Sequence, residues 1–189
     1  MTGSVVEPAA PARIEPGGRG DVGLFTWGLA QVSGLVTGTT PPNVFLVLGR
    51  HRKLFRGWLR FAGRLMPGGT LPRPDSELVI LRVAHRRDCR YELEQHRRLG
   101  RRAGLSAAEI ERVAEGPGAP GWSPRQQVLL QVVDELQDAG DLTDETWTAV
   151  RSHLDERGAI ELVLLAAHYD MLATAITTLR VPLDRARRG

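Results

Sequence analysis

Glu77, Cys89, Glu92 and His96 are the residues whose types and spacing could do chemistry. They fall in the run Asp75-Ser-Glu-Leu-Val-Ile-Leu-Arg-Val-Ala-His-Arg-Arg-Asp-Cys-Arg-Tyr-Glu-Leu-Glu-Gln-His96. On a helix turning about 100° per residue, the i, i+3, i+7 placement of Cys89, Glu92 and His96 keeps them within about 60° of one another. Leu93, Leu99, Gly100 and Ala103 share that side, and Arg90, Glu94, Arg97, Arg98, Arg101 and Arg102 cover the opposite arc. A thiol, a carboxyl and an imidazole therefore lie in the stripe that should face the core. Buried polar groups are costly unless paired, and a reactive site is a reason to keep them. At the first turn of a helix, the free N–H groups and neighbouring Arg87 and Arg90 favour a Cys89 thiolate, whereas a Glu92 carboxylate one turn on opposes it. His96 can take a proton from either. Glu77, on the preceding apolar helix, can orient His96 or relay a proton through it. A lone cysteine on an apolar face also fits an inert core residue. Cys89, Glu92 and His96 could ligate zinc, but no second cluster has zinc-type spacing, so no metal is expected.

The elements that must position these groups are helices. Residues 1–22, rich in Pro, Gly and Ala, read as a flexible tail. Apolar residues from Leu24 to Val36 predict a first helix ended by Gly38 and Pro41-Pro42. Asn43 should cap residues 44–48, and a helix follows over 52–66. After the loop 67–74, Asp75 should cap a helix that is apolar on most sides and so belongs at the centre of a domain. Asp88 should cap the next, starting at Cys89 and stopped by Ala103-Gly104. Ser106 and Glu109 form a capping box, Gly116–Gly121 is a linker, Ser123-Pro124 opens a helix to about 138, and Thr143 caps another to about 154. A long apolar helix over about 157–180 closes the chain before Pro182. No window alternates as a strand does, so the fold class is all-α, with one helical domain over 23–185. Glu77-Leu-Val-Ile-Leu81 is echoed by Glu161-Leu-Val-Leu-Leu165, either through duplication or because core helices resemble one another.

Composition excludes several function classes. A chain of 189 residues with 42% apolar residues suits one soluble domain held by packing, and its single cysteine excludes an internal disulfide. A lone thiol, an N-terminus without the pattern of a signal peptide and no uninterrupted apolar run near ~18 residues predict a cytoplasmic protein with no membrane partner. Net charge is +3 with a pI of about 9.7, and Lys53 is the sole lysine. The arginines at 86, 87, 90, 97, 98, 101 and 102 read as a solvated helix face rather than a nucleic-acid footprint, since no recognition motif accompanies them.

Glu77-x11-Cys89-x2-Glu92-x3-His96 resembles the signature of the carboxymuconolactone decarboxylase family, which includes the alkylhydroperoxidase-D-like proteins. The flanking Glu-Leu-Val-Ile-Leu-Arg-Val-Ala and Tyr-Glu-x3-His are similar to the family, as are the Ala-Gly-Leu-Ser helix start and the late Ala-His-Tyr-Asp-Met-Leu segment. The resemblance spans roughly residues 44–184. It implies an alkylhydroperoxidase-D-like helical bundle, a small-molecule substrate, no cofactor, and a homo-oligomer that buries some of Phe25, Trp27, Phe45, Phe55, Trp58 and Phe61. It also implies that the last helix packs near the site, where His168 and Tyr169 could line the substrate pocket; His168 could equally be a satisfied core histidine. In the peroxidase branch the pattern is Glu-x11-Cys-x2-Cys-x3-His, and here Glu92 replaces the second cysteine. An internal disulfide cycle is thereby closed. Three functions follow as expectations: acid–base chemistry (decarboxylation, isomerisation or a related proton transfer) on a small organic acid or carbonyl compound, a peroxidase using Cys89 with an external thiol, or a non-catalytic helical oligomer.

Overall fold

The computed structural model describes residues 11–187 and is all-α among them. Its helices are α1 (Arg19–Thr37), α2 (Asn43–Leu48), α3 (Arg52–Leu65), α4 (Arg73–Arg86), α5 (Arg90–Ala103), α6 (Ala107–Arg112), α7 (Pro124–Ala139), α8 (Asp144–His153) and α9 (Glu156–Leu179). A short 3₁₀ turn, Val113–Glu115, extends α6. The apolar all-round pattern of α4 decides the architecture. Its residues from Ser76 to Ala84 are all buried, because α5, α7 and α9 pack around it. α9 is long and apolar enough by length and composition to cross a membrane, and here it packs against α3, α4, α7 and α8.

Two apolar clusters result. The larger joins Leu78, Ile80 and Leu81 of α4 to Leu129, Leu130 and Val133 of α7 and Leu162 and Leu165 of α9. The smaller gathers Val44, Val47, Cys89, Tyr91, Leu172, Ile176 and Val181, so the thiol sits inside a packed layer.

Several local expectations hold. Gly38 and Gly104 end α1 and α5 in the left-handed conformation, and Ser106, Ser123 and Thr143 cap α6, α7 and α8 through their side chains. Others need correction. The predicted tail over 1–22 falls partly outside the described residues; from residue 11 onward it is docked, with Arg13 N–H donating to Leu179 O, Gly17 N–H to Leu46 O, and α1 already begun at Arg19. Asn43 does not cap α2. It is the first helical residue, and its amide reaches the Pro182 and Leu183 carbonyls. Asp75 lies inside α4 and accepts from Arg125 instead of capping. Asp88 makes the turn itself, at φ +47°, and Cys89 takes the N-cap position of α5. In each case a tertiary partner or a tight turn claimed the short polar side chain.

Candidate active site

α4 and α5 form a helical hairpin that brings Glu77 against His96. Glu77 is fully buried, and His96 Nδ1 donates to its Oε2 over 2.7 Å. One turn earlier on α4, Arg73 Nη2 donates to Glu77 Oε1 over 2.6 Å. The pairing follows from the i, i+4 geometry of a helix. Arg73 is half-exposed, so a charged and hydrogen-bonded chain runs from the surface through Glu77 to His96. With Nδ1 engaged, Nε2 is the nitrogen His96 can offer a substrate.

Cys89 and Glu92 lie at the opening turn of α5, both within the interior. Cys89 N–H donates to Ala84 O, which ties the turn to the end of α4. The thiol is 1% exposed, and burial, then the nearby charge of Glu92, push it up to about 12. Burial thus outweighs the helix-start effect that favours a thiolate. Glu92 is 2% exposed and neither of its carboxyl oxygens finds a well-formed hydrogen bond. Burial pushes this carboxyl up to about 8; the adjacent Cys89 thiol partly offsets that, and the charge of Asp170 adds to it. At neutral pH Glu92 is therefore a carboxylic acid carrying its proton, and Cys89 is a thiol.

α9 supplies the third wall. Tyr169 stands edge-on to His96, with ring centroids 5.1 Å apart, and edge-on to His168 at 5.3 Å. Its phenol is pushed upward by burial and by the charges of Glu77 and Glu92, so it stays protonated. His168 stacks on Trp58 at 5.9 Å and is pushed down to about 4 by burial, so it is neutral at pH 7. The six predicted residues therefore occupy one region. Glu77 and His96 are bonded, Cys89 and Glu92 are adjacent, Tyr169 packs on His96, and His168 joins through Tyr169. An open groove of about 730 Å³ between α3 and α9 reaches this region at His168, while Glu77, Cys89, Glu92 and His96 do not line it.

Three participants were missed by sequence reasoning. Arg73 was legible in principle, four residues before Glu77. Asp170, held by Arg87 and Gln137, acts on Glu92 from another helix, and Trp58 covers His168 from α3; neither had a local signal.

Residues 52–135, which hold all four hairpin residues, match the sequence model of the carboxymuconolactone decarboxylase family. Residues 52–135 carry a carboxymuconolactone decarboxylase family domain. No functionally curated protein matches it. Among solved structures it is similar to the alkylhydroperoxidase AhpD core of an uncharacterized peroxidase-related protein from Ralstonia eutropha JMP134, with a TM-score of 0.81 and 19% identity over 93% of this chain and 94% of that one. It is also similar to an uncharacterized peroxidase-related protein from Silicibacter sp. TM1040, with a TM-score of 0.78 and 16% identity over 95% of each chain. A third similar structure is a cysteine-to-alanine form of the debrominase Bmp8 in complex with 2,3,4-tribromopyrrole, with a TM-score of 0.78 and 12% identity over 93% of each chain. At these identities the likeness is one of fold. The AhpD-like arrangement of the carboxymuconolactone decarboxylase domain is shared by proteins of different chemistry, so the reaction has to be argued from the side chains.

Proposed function

We propose that this domain is an acid–base enzyme acting on a small organic acid or carbonyl compound, by decarboxylation, isomerisation or a related proton transfer. The observation that carries this reading is the state of Glu92: a buried carboxyl with two unpaired oxygens, pushed up to about 8. Such a group keeps its proton at neutral pH and gives it up at little cost, which is the property a general acid needs. Glu92 donates to a substrate oxygen as negative charge develops there. His96 takes a proton at Nε2 while its Nδ1–H holds Glu77, and Glu77 stabilises the imidazolium that forms. Arg73 fixes the far side of the Glu77 carboxyl. Cys89 lines the site as a neutral thiol, and Tyr169 and His168 wall the approach from the groove.

The competing peroxidase reading draws on the peroxidase-related neighbours. It needs a Cys89 thiolate and an external thiol. Burial works against the thiolate, and Glu92 stands where a resolving cysteine would be. A working place in a reducing cytoplasm and assembly into a homo-oligomer complete the proposal. The assembly draws on the apolar face that α1 leaves open through Leu24, Val32, Leu35 and Val36.

Proton transfer can be sought without knowing the full reaction. A panel of lactone acids, keto acids and other enolisable carboxylates is incubated in D₂O and followed by NMR. The expected result is deuterium uptake at the carbon next to a carbonyl with the wild-type protein, lost in His96→Ala and Glu92→Gln. Sustained turnover of hydroperoxide with an external thiol, without deuterium uptake, would replace this reading by the redox one.

A further inference from the structure

Cys89 and Glu92 are closed to solvent, and neither lines the groove between α3 and α9. Any molecule that reaches Glu92 therefore displaces part of its cover. Most of that cover is fixed by packing: α4 is buried from Ser76 to Ala84, and α9 along much of its length from Gly158 to Ile176. The segment after α9 is held differently. Of residues 181–187 Val181 alone is buried, and Leu183, Arg185, Ala186 and Arg187 are exposed. Val181 belongs to the apolar cluster that holds Cys89, and Thr177, on the last turn of α9, is a hydrogen-bonding neighbour of the thiol. The chain thus leaves α9 beside Cys89.

Polar contacts hold this segment down, and Asp184 is their hub. Its Oδ1 accepts the Asn43 N–H of α2 over 2.7 Å, and its Oδ2 accepts the Tyr91 hydroxyl over 2.8 Å and the Gln95 amide, both of α5. One carboxylate ties the C-terminal segment, α2 and α5 together. Val44 N–H donates to the same Tyr91 hydroxyl, and Val44 and Val47 of α2 share the apolar cluster of Cys89. Farther along, Thr40 N–H donates to Arg185 O and Arg187 N–H to Gly38 O, which makes an antiparallel bridge between Thr39 and Ala186. At the root, Arg180 sits at φ +52°, a left-handed conformation uncommon for a residue with a side chain. Hydrogen bonds of this kind exchange for bonds to water at small net cost. A segment held by them, with little apolar burial, opens more readily than helices held by packing.

We infer that residues 181–187 are a strap hinged at Arg180 and latched by Asp184, and that its release, together with α2, opens the path from solvent to Cys89 and Glu92. Closure over a bound molecule restores the dry surroundings in which Glu92 keeps its proton. The inference rests on the proposed acid–base function only in taking Glu92 as the destination. The opening itself is a property of the fold and is read without any substrate.

Iodoacetamide reads the opening through Cys89, whose modified peptide is followed by mass spectrometry in the full chain under native conditions. Asp184→Ala should raise the rate about tenfold or more, the equilibrium equivalent of one to two net hydrogen bonds. The double substitution Thr39→Cys and Ala186→Cys supplies the opposite arm. These two residues form a non-hydrogen-bonded antiparallel pair, whose Cα atoms lie about 4.5 Å apart, within reach of a disulfide. The disulfide form should react at least about tenfold more slowly than the wild type, and reduction should restore the wild-type rate at Cys89. Val133→Ala controls for general destabilisation, since Val133 lies in the larger apolar cluster, apart from Cys89 and Val181. It should leave the native rate unchanged, because a local opening does not pass through global unfolding. The inference is overturned if Val133→Ala speeds the reaction as much as Asp184→Ala, or if the disulfide form reacts at the wild-type rate. Deuterium uptake separates the two proposals. Uptake undiminished in the disulfide form defeats the strap alone, and strap-controlled alkylation without uptake by the wild type defeats the acid–base reading alone.

Discussion

Replacing Glu92 by Gln turns the proposed acid into an uncharged group of nearly the same shape, and its effect on stability has a defined sign. Burial lifts the carboxyl from its ordinary 4.5 to about 8. A folded-state pKa above the unfolded value means that the folded chain binds the proton more tightly. That contribution is complete below about 4.5, shrinks as pH rises, and is gone above about 8. At ~1.4 kcal/mol per pH unit the interval is worth ~5 kcal/mol. Relaxation and water penetration around the ionised group reduce this to ~2–3 kcal/mol. Glutamine has no such dependence. Urea unfolding of both proteins, followed by circular dichroism between pH 5 and pH 9, therefore measures the effect as a difference. Surface groups titrate in both and cancel, and the Cys89 thiol, pushed up to about 12, stays protonated throughout the range. The wild-type midpoint should fall relative to that of Glu92→Gln by ~1 M urea across the range. Parallel midpoints would mean that Glu92 is ionised and solvated in the native protein, and the general-acid assignment would go with it.

Once a substrate is known, His96→Ala should lower kcat by roughly 10²–10⁴-fold, whereas Cys89→Ser should cost far less, since a hydroxyl keeps the shape and polarity; the reverse ranking would assign the chemistry to sulfur. Iodoacetamide should alkylate Cys89 in the native protein at pH 8 at least ~100-fold more slowly than in urea, because the thiolate is the nucleophile and burial suppresses it; rapid native alkylation would count against the buried, neutral thiol. Light scattering at roughly 50 µM should give a homo-oligomer, with Leu35→Glu shifting it toward monomer, and a wild-type monomer would leave the open face of α1 unexplained.

Much of the fold was legible because it is written locally. The apolar run from Leu78 to Ala84 marked the central helix, and Ser106 with Glu109 marked the start of α6 by a reciprocal cap that involves only its own turn. The unreadable parts depend on distant partners. Asp75 looks like a cap until Arg125 on α7 claims it, and Asn43 until the chain beyond α9 passes over it. Residues 11–22 look like a tail because their docking is carried by backbone N–H groups, which leave no mark in composition. Spacing alone grouped Cys89, Glu92 and His96, and the Glu77–His96 bond is the tertiary contact it implied. The echo of Glu77 at Glu161 does not extend to role: Glu161 accepts from the Thr70 and Leu71 backbone and holds a loop. Spacing could not reveal that the groove opens at His168 and is not lined by Glu92 or His96, since that follows from where α3 meets α9.

The exchange of a cysteine for Glu92 gains its meaning from burial rather than from the residue type alone. The same low-polarity surroundings act on both groups at the start of α5, and they raise both. A carboxyl begins near 4.5, so burial carries it to about 8, into the range where it can give and regain a proton at neutral pH. A thiol begins near 9, so an equal influence carries it to about 12, away from that range. The interior that keeps Glu92 protonated at neutral pH therefore also keeps Cys89 a thiol, a poor nucleophile. Redox use of Cys89 would require this layer to open, hydrating the thiol and at once returning Glu92 toward an ordinary carboxylate. Burial therefore favours a protonated Glu92 and disfavours a Cys89 thiolate in the same state of the protein, and the packing of Val44, Val47, Tyr91, Ile176 and Val181 around Cys89 supports the proposed acid–base reading over the redox one.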